Sequence, residues 1–287
     1  MTGAARGVGR ATVHAFLAAG WRVVAGVRDV ATARDGLGPH PGLTVVALDV
    51  TDDGEVRDGV ARAEDVAGGA LGAVVLNAGF AVMGAQDEAD LDEVRAMFET
   101  NVFGAARVVQ AALPAMRDAG GGAAVFVSSI AARLPIPLLG YYQASKAAMG
   151  LLAESLSIET RPYGVRVALV EPGMIATEFG RSTRRTGAAA HGEGAYAELL
   201  PAVRGALGML RERYAIGPEE VARVVVQAAT DPAAPFRTVL GGDARIVDDL
   251  RARAPYPAYQ DALLAFLGID WPRGGDGREL DVRGVAD

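Results

Sequence analysis

Six short apolar runs, at residues 21–27, 43–48, 73–76, 123–127, 165–170 and 237–240, alternate with helix-length amphipathic segments at 7–19, 53–66, 91–119, 142–161 and 218–230. Strands that read as unbroken apolar sequence must be covered on both faces, and crossover helices are what cover them. The alternation predicts an α/β fold with a doubly wound parallel sheet, in a single domain spanning 1–271. Residues 178–215 break the rhythm with Gly, Ser and Arg before a short helical pattern. A long excursion of that kind in a compact domain is usually functional, and it is expected here to be a lid over a substrate site. The tail at 272–287 is polar and glycine-rich, and is expected to be disordered.

The segment Thr2-Gly3-Ala4-Ala5-Arg6-Gly7-Val8-Gly9 opens the first helical stretch. Glycines at this spacing allow a tight turn and a close backbone approach to a pyrophosphate, which sits at the positive end of the helix. Gly3, Arg6, Gly7, Val8 and Gly9 are therefore candidate dinucleotide-binding residues of a Rossmann fold. Only Met1 precedes this turn, although a doubly wound sheet requires a central strand there. The first strand is expected to be truncated, with the true start upstream of Met1. Its neighbours would then lose pairing worth about 1 kcal/mol net for each hydrogen bond.

The end of the run at 21–27 is where an acid would bind ribose hydroxyls; Val27 stands there, followed by Arg28. A guanidinium attracts a 2′-phosphate that an acid would repel, so NADP(H) is the expected cofactor, with Arg6 as a second contact. Asp49, followed by Val50, ends the next run and can accept a hydrogen bond from an adenine amino group. Asn77-Ala78-Gly79 ends the run at 73–76, with small residues that let backbone lie against a cofactor.

The chain contains 28 Lys and Arg residues, and Lys146 is the single Lys among them. Asn is equally scarce, at Asn77 and Asn101 alone. Such usage fits a GC-rich genome, in which Lys and Asn codons are disfavoured and the survivors become candidates for chemistry. Lys146 lies four residues after Tyr142, so both point to one side of a helix. A neighbouring ammonium favours the phenolate and is expected to lower the phenol from its ordinary value near 10. Tyr141 faces another direction and is expected to pack or line the pocket. Ser129, at the end of the run at 123–127, can hydrogen-bond a substrate oxygen, while Ser128 points to the opposite side. Asn101 sits inside a long helical stretch, where its side chain competes for backbone bonds, and is expected to mark a local break with a polar task. Pro135, Ile136, Pro137, Leu138 and Leu139 suggest an apolar wall, and hence a hydrophobic substrate. Arg181, Arg184 and Arg185 read as a solvated charge run.

There is no Cys, and the three His are scattered, so neither disulfides nor a metal site is expected. A formal charge of −7 and the lack of a basic patch argue against nucleic-acid partners. No run reaches the roughly 20 apolar residues that span a bilayer, and no signal peptide opens the chain. The expected setting is cytoplasmic.

Taken together, the Gly3–Gly7–Gly9 turn, Asp49, Asn77-Ala78-Gly79, Asn101, Ser129, Tyr142-x-x-x-Lys146 and Pro172-Gly173 with Thr177 resemble the short-chain dehydrogenases/reductases. The flavour of the motifs looks most like the 17-beta-hydroxysteroid-dehydrogenase-like branch. The resemblance implies a catalytic tetrad of Asn101, Ser129, Tyr142 and Lys146, with Asn101 holding a water that links Lys146 to solvent. It implies that the 172–177 segment wraps a nicotinamide, with Ile175 and Thr177 near the carboxamide. A homodimer or homotetramer formed through the 91–119 and 142–161 helices is also implied. Two positions depart from the family pattern: Leu76 stands where Asn is usual, and Gly72 where Asp is usual. The leading expectation is an NADP(H)-dependent oxidoreductase acting on a ketone, aldehyde or secondary alcohol. Two alternatives stand beside it. One is a nucleotide-binding sensor or remnant without turnover, which the missing strand favours and the complete tetrad opposes. The other is an epimerase or dehydratase, for which the tighter glycine turn and larger C-terminal domain are wanting.

Overall fold

The computed structural model describes residues 1–180, 183–253, 255 and 258–270. The tail expected to be disordered, and Arg181 of the lid, lie outside these residues. In chain order the elements begin with α1 (Gly7–Ala18), β1 (Val23–Val27), α2 (Val30–Leu37), β2 (Leu43–Ala47), α3 (Asp53–Ala67), β3 (Ala73–Leu76) and β4 (Val82–Met83). They continue with α4 (Leu91–Phe98), α5 (Gly104–Asp118), β5 (Gly122–Val127), α6 (Gly140–Glu159), β6 (Val165–Pro172), β7 (Arg184–Arg185) and α7 (Ala188–His191). The chain then runs through α8 (Leu199–Tyr214), α9 (Pro218–Thr230), β8 (Arg237–Leu240), α10 (Gly242–Arg253) and α11 (Ala258–Leu267).

Local chemistry explains most boundaries. Asp52 caps α3 by accepting a hydrogen bond from the Glu55 amide at 2.8 Å, and Gly68 ends that helix in a left-handed conformation, φ 78°. Asp90 caps α4, and α9 opens on Pro218 with Glu219 and Glu220 in its first turn. The helix expected at 91–119 is interrupted. Residues Glu99–Phe103 form a single π-helical turn between α4 and α5, centred on Asn101. Such turns are rare and frequent at functional sites.

The principal strands pair in parallel as β1-β2 and as β3-β5-β6-β8. Met1 and Thr2 stand between these two groups. The Met1 amino group donates to the Val24 carbonyl at 2.7 Å, and the Gly26 amide donates to the Met1 carbonyl at 2.9 Å. On the other side, the Thr2 amide donates to the Val75 carbonyl at 3.0 Å. The two residues thus occupy the central position between β1 and β3, bonded on both sides. The fold is the expected doubly wound α/β arrangement.

Period-two alternation puts both faces of the sheet to use. In β5, Ala123, Val125 and Val127 join the core under α1 and α9, with Val13, Phe16, Val221 and Val225. Ala124 and Phe126 turn the other way, toward Val56, Val60, Val108, Met116 and Met149. In β6, Ala168 and Val170 face the first core, while Val167 and Leu169 face the second. A third apolar cluster gathers α8, α10 and α11 over Ile130, Leu134, Ile136, Leu138 and Leu139. The helices α2, α10 and α11 have no counterpart among the sequence expectations. The lid segment contains β7, paired in parallel with β4, then α7 and α8.

Leu169 is fully buried in the central strand β6. Leu169→Ala is expected to destabilise the fold by about 2–5 kcal/mol, read as a lowered denaturation midpoint at unchanged slope. A midpoint equal to the parent's would contradict this account of the core.

Candidate active site

All the principal strands are parallel, so their carboxyl ends open on one edge, where α/β proteins bind ligands. Here that edge lines a cavity of about 2130 Å³. Every residue expected to hold a dinucleotide lines it, from Gly3 and Arg28 at one end to Thr177 at the other. The glycine turn is built by close approach. Gly3 adopts φ 64°, and a Cβ placed on Gly9 would stand 2.1 Å from the Gly3 carbonyl oxygen. Asn77 holds the turn from β3: its side-chain amide donates to the carbonyls of Thr2 and Gly3 at 3.2 and 3.0 Å. The Thr2 hydroxyl accepts in return from the amides of Asn77 and Ala78. Helix α1 follows with no side-chain cap and no acid in its first turn, which leaves its amides and positive end for an anion.

Arg6 and Arg28 are exposed at the cavity edge. Asp29 follows Arg28, but its carboxylate caps α2, accepting from the Thr32 amide at 3.1 Å and the Thr32 hydroxyl at 2.6 Å. These bonds hold its pKa below the ordinary value. Asp49 accepts from the Thr51 amide and hydroxyl at 2.9 and 2.8 Å. The residue set therefore fits a dinucleotide: a glycine cradle a side chain would fill, an open helix terminus, and a free guanidinium side at the far rim.

Deeper in, Ser129, Tyr142 and Lys146 line the same cavity. Tyr142 is buried and its phenol shares a hydrogen bond with the Ser129 hydroxyl. Burial pushes the phenol up to about 12, against a smaller downward pull from Ser129. The direction is opposite to the sequence expectation, in which Lys146 lowers it. Lys146 is itself buried, donates to the Val127 carbonyl at 3.2 Å, and is pushed down by burial to about 8. Desolvation dominates both groups.

Asn101 stands one layer behind the cavity wall. Its side chain accepts from the Phe80 amide and donates to the Phe80 carbonyl, both at 3.0 Å, and donates to the Ser145 hydroxyl at 3.0 Å. Ser145 donates onward to the Tyr142 carbonyl at 2.7 Å. A Cβ on Gly79 would stand 2.9 Å from the Asn101 oxygen, so that glycine keeps room for the Asn101 side chain. Ser145 had no place among the expected site residues; its one signal is a lone hydroxyl on the inner side of an Ala- and Leu-rich helix. Ser128 turns away as expected, donating to the Lys146 carbonyl at 3.2 Å.

The strap at 172–177 closes the cavity. Met174, Ile175 and Ala176 pair with Ile216, and the Arg211 guanidinium donates to the Thr177 carbonyl at 3.0 Å. Leu134, Ile136 and Leu139 line the cavity, so the expected apolar wall is present in part. Pro135 is exposed, and Leu138 is buried in the core beside it. Tyr141 packs rather than lines the cavity, donating to the Gln86 carbonyl at 3.1 Å. Arg184, expected to be solvated, lies over the Phe80 ring, with its guanidinium carbon 4.7 Å from the ring centroid.

The comparisons agree with this architecture. A family profile described as short chain dehydrogenase matches residues 1–188. The oxidoreductase BOA17 of Botryotinia fuckeliana is 30% identical over 250 residues, covering 85% of this chain and 88% of that protein. Retinol dehydrogenase 8 of Bos taurus is 32% identical over 264 residues, covering 88% and 83%. Among solved structures, a short-chain dehydrogenase from Streptomyces avermitilis superimposes with a TM-score of 0.77 at 33% identity, covering 88% of this chain and 92% of that one. A short chain dehydrogenase from Burkholderia cenocepacia, in complex with NADP, gives 0.70 at 29% identity, covering 93% and 94%.

A lysine that titrates at about 8 when folded, against 10.5 ordinarily, holds its proton less tightly in the native state. Stability therefore rises as pH climbs from about 8 to 10.5, and the charged form costs about 3 kcal/mol at neutral pH. Lys146→Met is expected to melt higher than the parent at pH 7, with the advantage shrinking across that window. A variant that melts no higher at pH 7 would refute the buried-ammonium argument.

Proposed function

We propose that this chain, which belongs to the short-chain dehydrogenase/reductase family, is an NADP(H)-dependent oxidoreductase acting on a ketone or aldehyde, or on the corresponding alcohol. The observation that carries the reading is the common cavity: Ser129, Tyr142 and Lys146 line its inner wall, and the glycine turn with Arg28 lines its other end. When bound, the nicotinamide supplies or accepts the hydride.

The chain's own residues handle the oxygen and the proton. The Ser129 hydroxyl holds the substrate oxygen beside the Tyr142 phenol, and Tyr142 gives its proton to that oxygen in reduction or takes it in oxidation. Left alone, a phenol near 12 gives up a proton too reluctantly. Lys146, titrating at about 8, is mostly protonated at pH 7 and supplies the positive charge that stabilises the phenolate. Asn101 and Ser145 brace the backbone at Phe80 and Tyr142, fixing both walls of the pocket.

NADP(H) is favoured over NAD(H) by the division of labour at the rim. Both Asp29 oxygens are engaged by Thr32, whereas Arg28 makes no ion pair or hydrogen bond among the described residues. The guanidinium is left to meet a 2′-phosphate. The segment at 178–215 serves as the lid: Phe179 stacks obliquely on Tyr142 with ring centroids 6.0 Å apart, and α8 covers the apolar wall. Met83, Leu134, Ile136 and Leu207 along the cavity suit a hydrophobic substrate. Phe103, Leu151 and Ile158 stand 54%, 68% and 74% exposed on α6 and the π turn, which supports a homo-oligomer through those segments.

Fluorescence titration tests the cofactor half of the reading: NADPH is expected to bind more tightly than NADH, and Arg28→Ala to erase about ten- to hundredfold of that preference. Equal affinities in the parent would reject the Arg28 argument. For the chemistry, Tyr142→Phe is expected to lower turnover of a carbonyl substrate by about 10²–10⁴-fold with NADPH still bound. Undiminished turnover would remove Tyr142 from its role, and NADPH binding without turnover of any carbonyl by the parent would favour a sensor.

A further inference from the structure

Asp243 sits in the first turn of α10, only 4% exposed, with its carboxylate turned inward to the cavity. One oxygen, Oδ2, accepts from the Met174 amide of the strap at 2.8 Å. The other, Oδ1, is buried with no hydrogen-bond partner among the described residues. The amides of Ala244 and of Asp243 itself also lean on the carboxylate, as at an ordinary helix start, but burial outweighs them and raises its pKa. A helix start is capped as well by an exposed acid, and an unpaired buried oxygen is expensive. Something other than capping keeps this carboxylate inside.

The strap supplies the reason. A Cβ on Gly173 would stand 2.1 Å from Oδ1 and 2.6 Å from the carboxyl carbon. The carboxylate fills the space that this glycine leaves, and the next amide in the chain is the one it holds. Helix α10 grips the other side of the pocket too. Asp248 pairs with Arg133, and Arg251 and Tyr259 donate to the Arg133 carbonyl at 2.9 and 3.2 Å. Arg133 ends the short turn that begins at Ser129.

We propose that Asp243 is a positioning residue for the nicotinamide end of the cavity, its carboxylate fixing the 172–177 strap through the Met174 amide and the space beside Gly173. The inference rests on the dinucleotide reading given above and goes beyond it, because it assigns strap geometry to a residue on α10. Asp243 touches no reacting atom; it acts through the strap.

The test compares two ligands that differ only at that end of the cavity: NADPH and 2′-phospho-ADP-ribose, which lacks the nicotinamide. Asp243→Ala is expected to weaken NADPH binding about tenfold or more and to leave 2′-phospho-ADP-ribose binding within about twofold. Asp243→Asn, which can still accept from the Met174 amide, is expected to restore NADPH affinity. Gly173→Ala, which displaces the carboxylate without removing it, is expected to copy Asp243→Ala, and it carries the comparison if Asp243→Ala does not fold. The proposal is overturned if Asp243→Ala and Gly173→Ala bind NADPH as the parent does, if both ligands weaken together, or if Asp243→Asn binds NADPH no better than Asp243→Ala. A parent that binds neither ligand would bring down the dinucleotide reading and this inference with it, whereas a parent that binds both equally would overturn this inference alone.

Discussion

A parallel sheet covered by helices on both faces leaves polar groups no place except its ends. In this chain β5 and β6 are buried on both sides, residue by residue, so hydroxyls, amides and charges are pushed to the carboxyl edge. The chemistry-bearing residues therefore come together without any local design: Asn77 follows β3, Ser129 follows β5, and Gly173 follows β6. Tyr142 and Lys146 reach the same edge from the start of α6. The packing of the core is what determines where the site lies.

The charges at that edge are held in two different ways. Glu171 is fully buried, yet its two oxygens meet Arg237 at 2.7 Å and Arg133 at 2.9 Å, and the outer ends of those arginines meet Glu154 and Asp248. A buried carboxylate is tolerable with such complete partnering. Lys146 and Asp243 lack that compensation, and burial moves both toward their neutral forms. Glu171 ties β6 to β8 and, through Arg133, to α10, while the two less satisfied groups face the cavity. A site that must exchange protons has to keep some groups incompletely satisfied.

The sequence made the glycine turn, the positions of the principal strands and the Tyr142–Lys146 pair legible because each is local. A period of two or of four residues, or a glycine spacing, needs no knowledge of the tertiary fold. Asn101 was legible as an anomaly, and the π turn gives that anomaly a form. The direction of the Tyr142 shift was not legible, because it depends on how thoroughly the surrounding residues exclude water and on Lys146 bonding to Val127. Helices α10 and α11 escaped notice for a related reason: α10 is strongly polar, and its buried positions make sense only against the Arg133 turn and α8.

Glycines record the most distant of these relations. At Gly79 the absent Cβ makes room for Asn101, and at Gly173 for Asp243. In each case the sequence displays the glycine plainly, yet the side chain that forbids anything larger lies more than twenty residues away. A cofactor-binding glycine is readily explained by the ligand alone. Here the protein's own groups already require the glycine, so the backbone at both positions is shaped before any ligand arrives. Preorganisation of that kind spares the site the rearrangement that binding would otherwise have to drive.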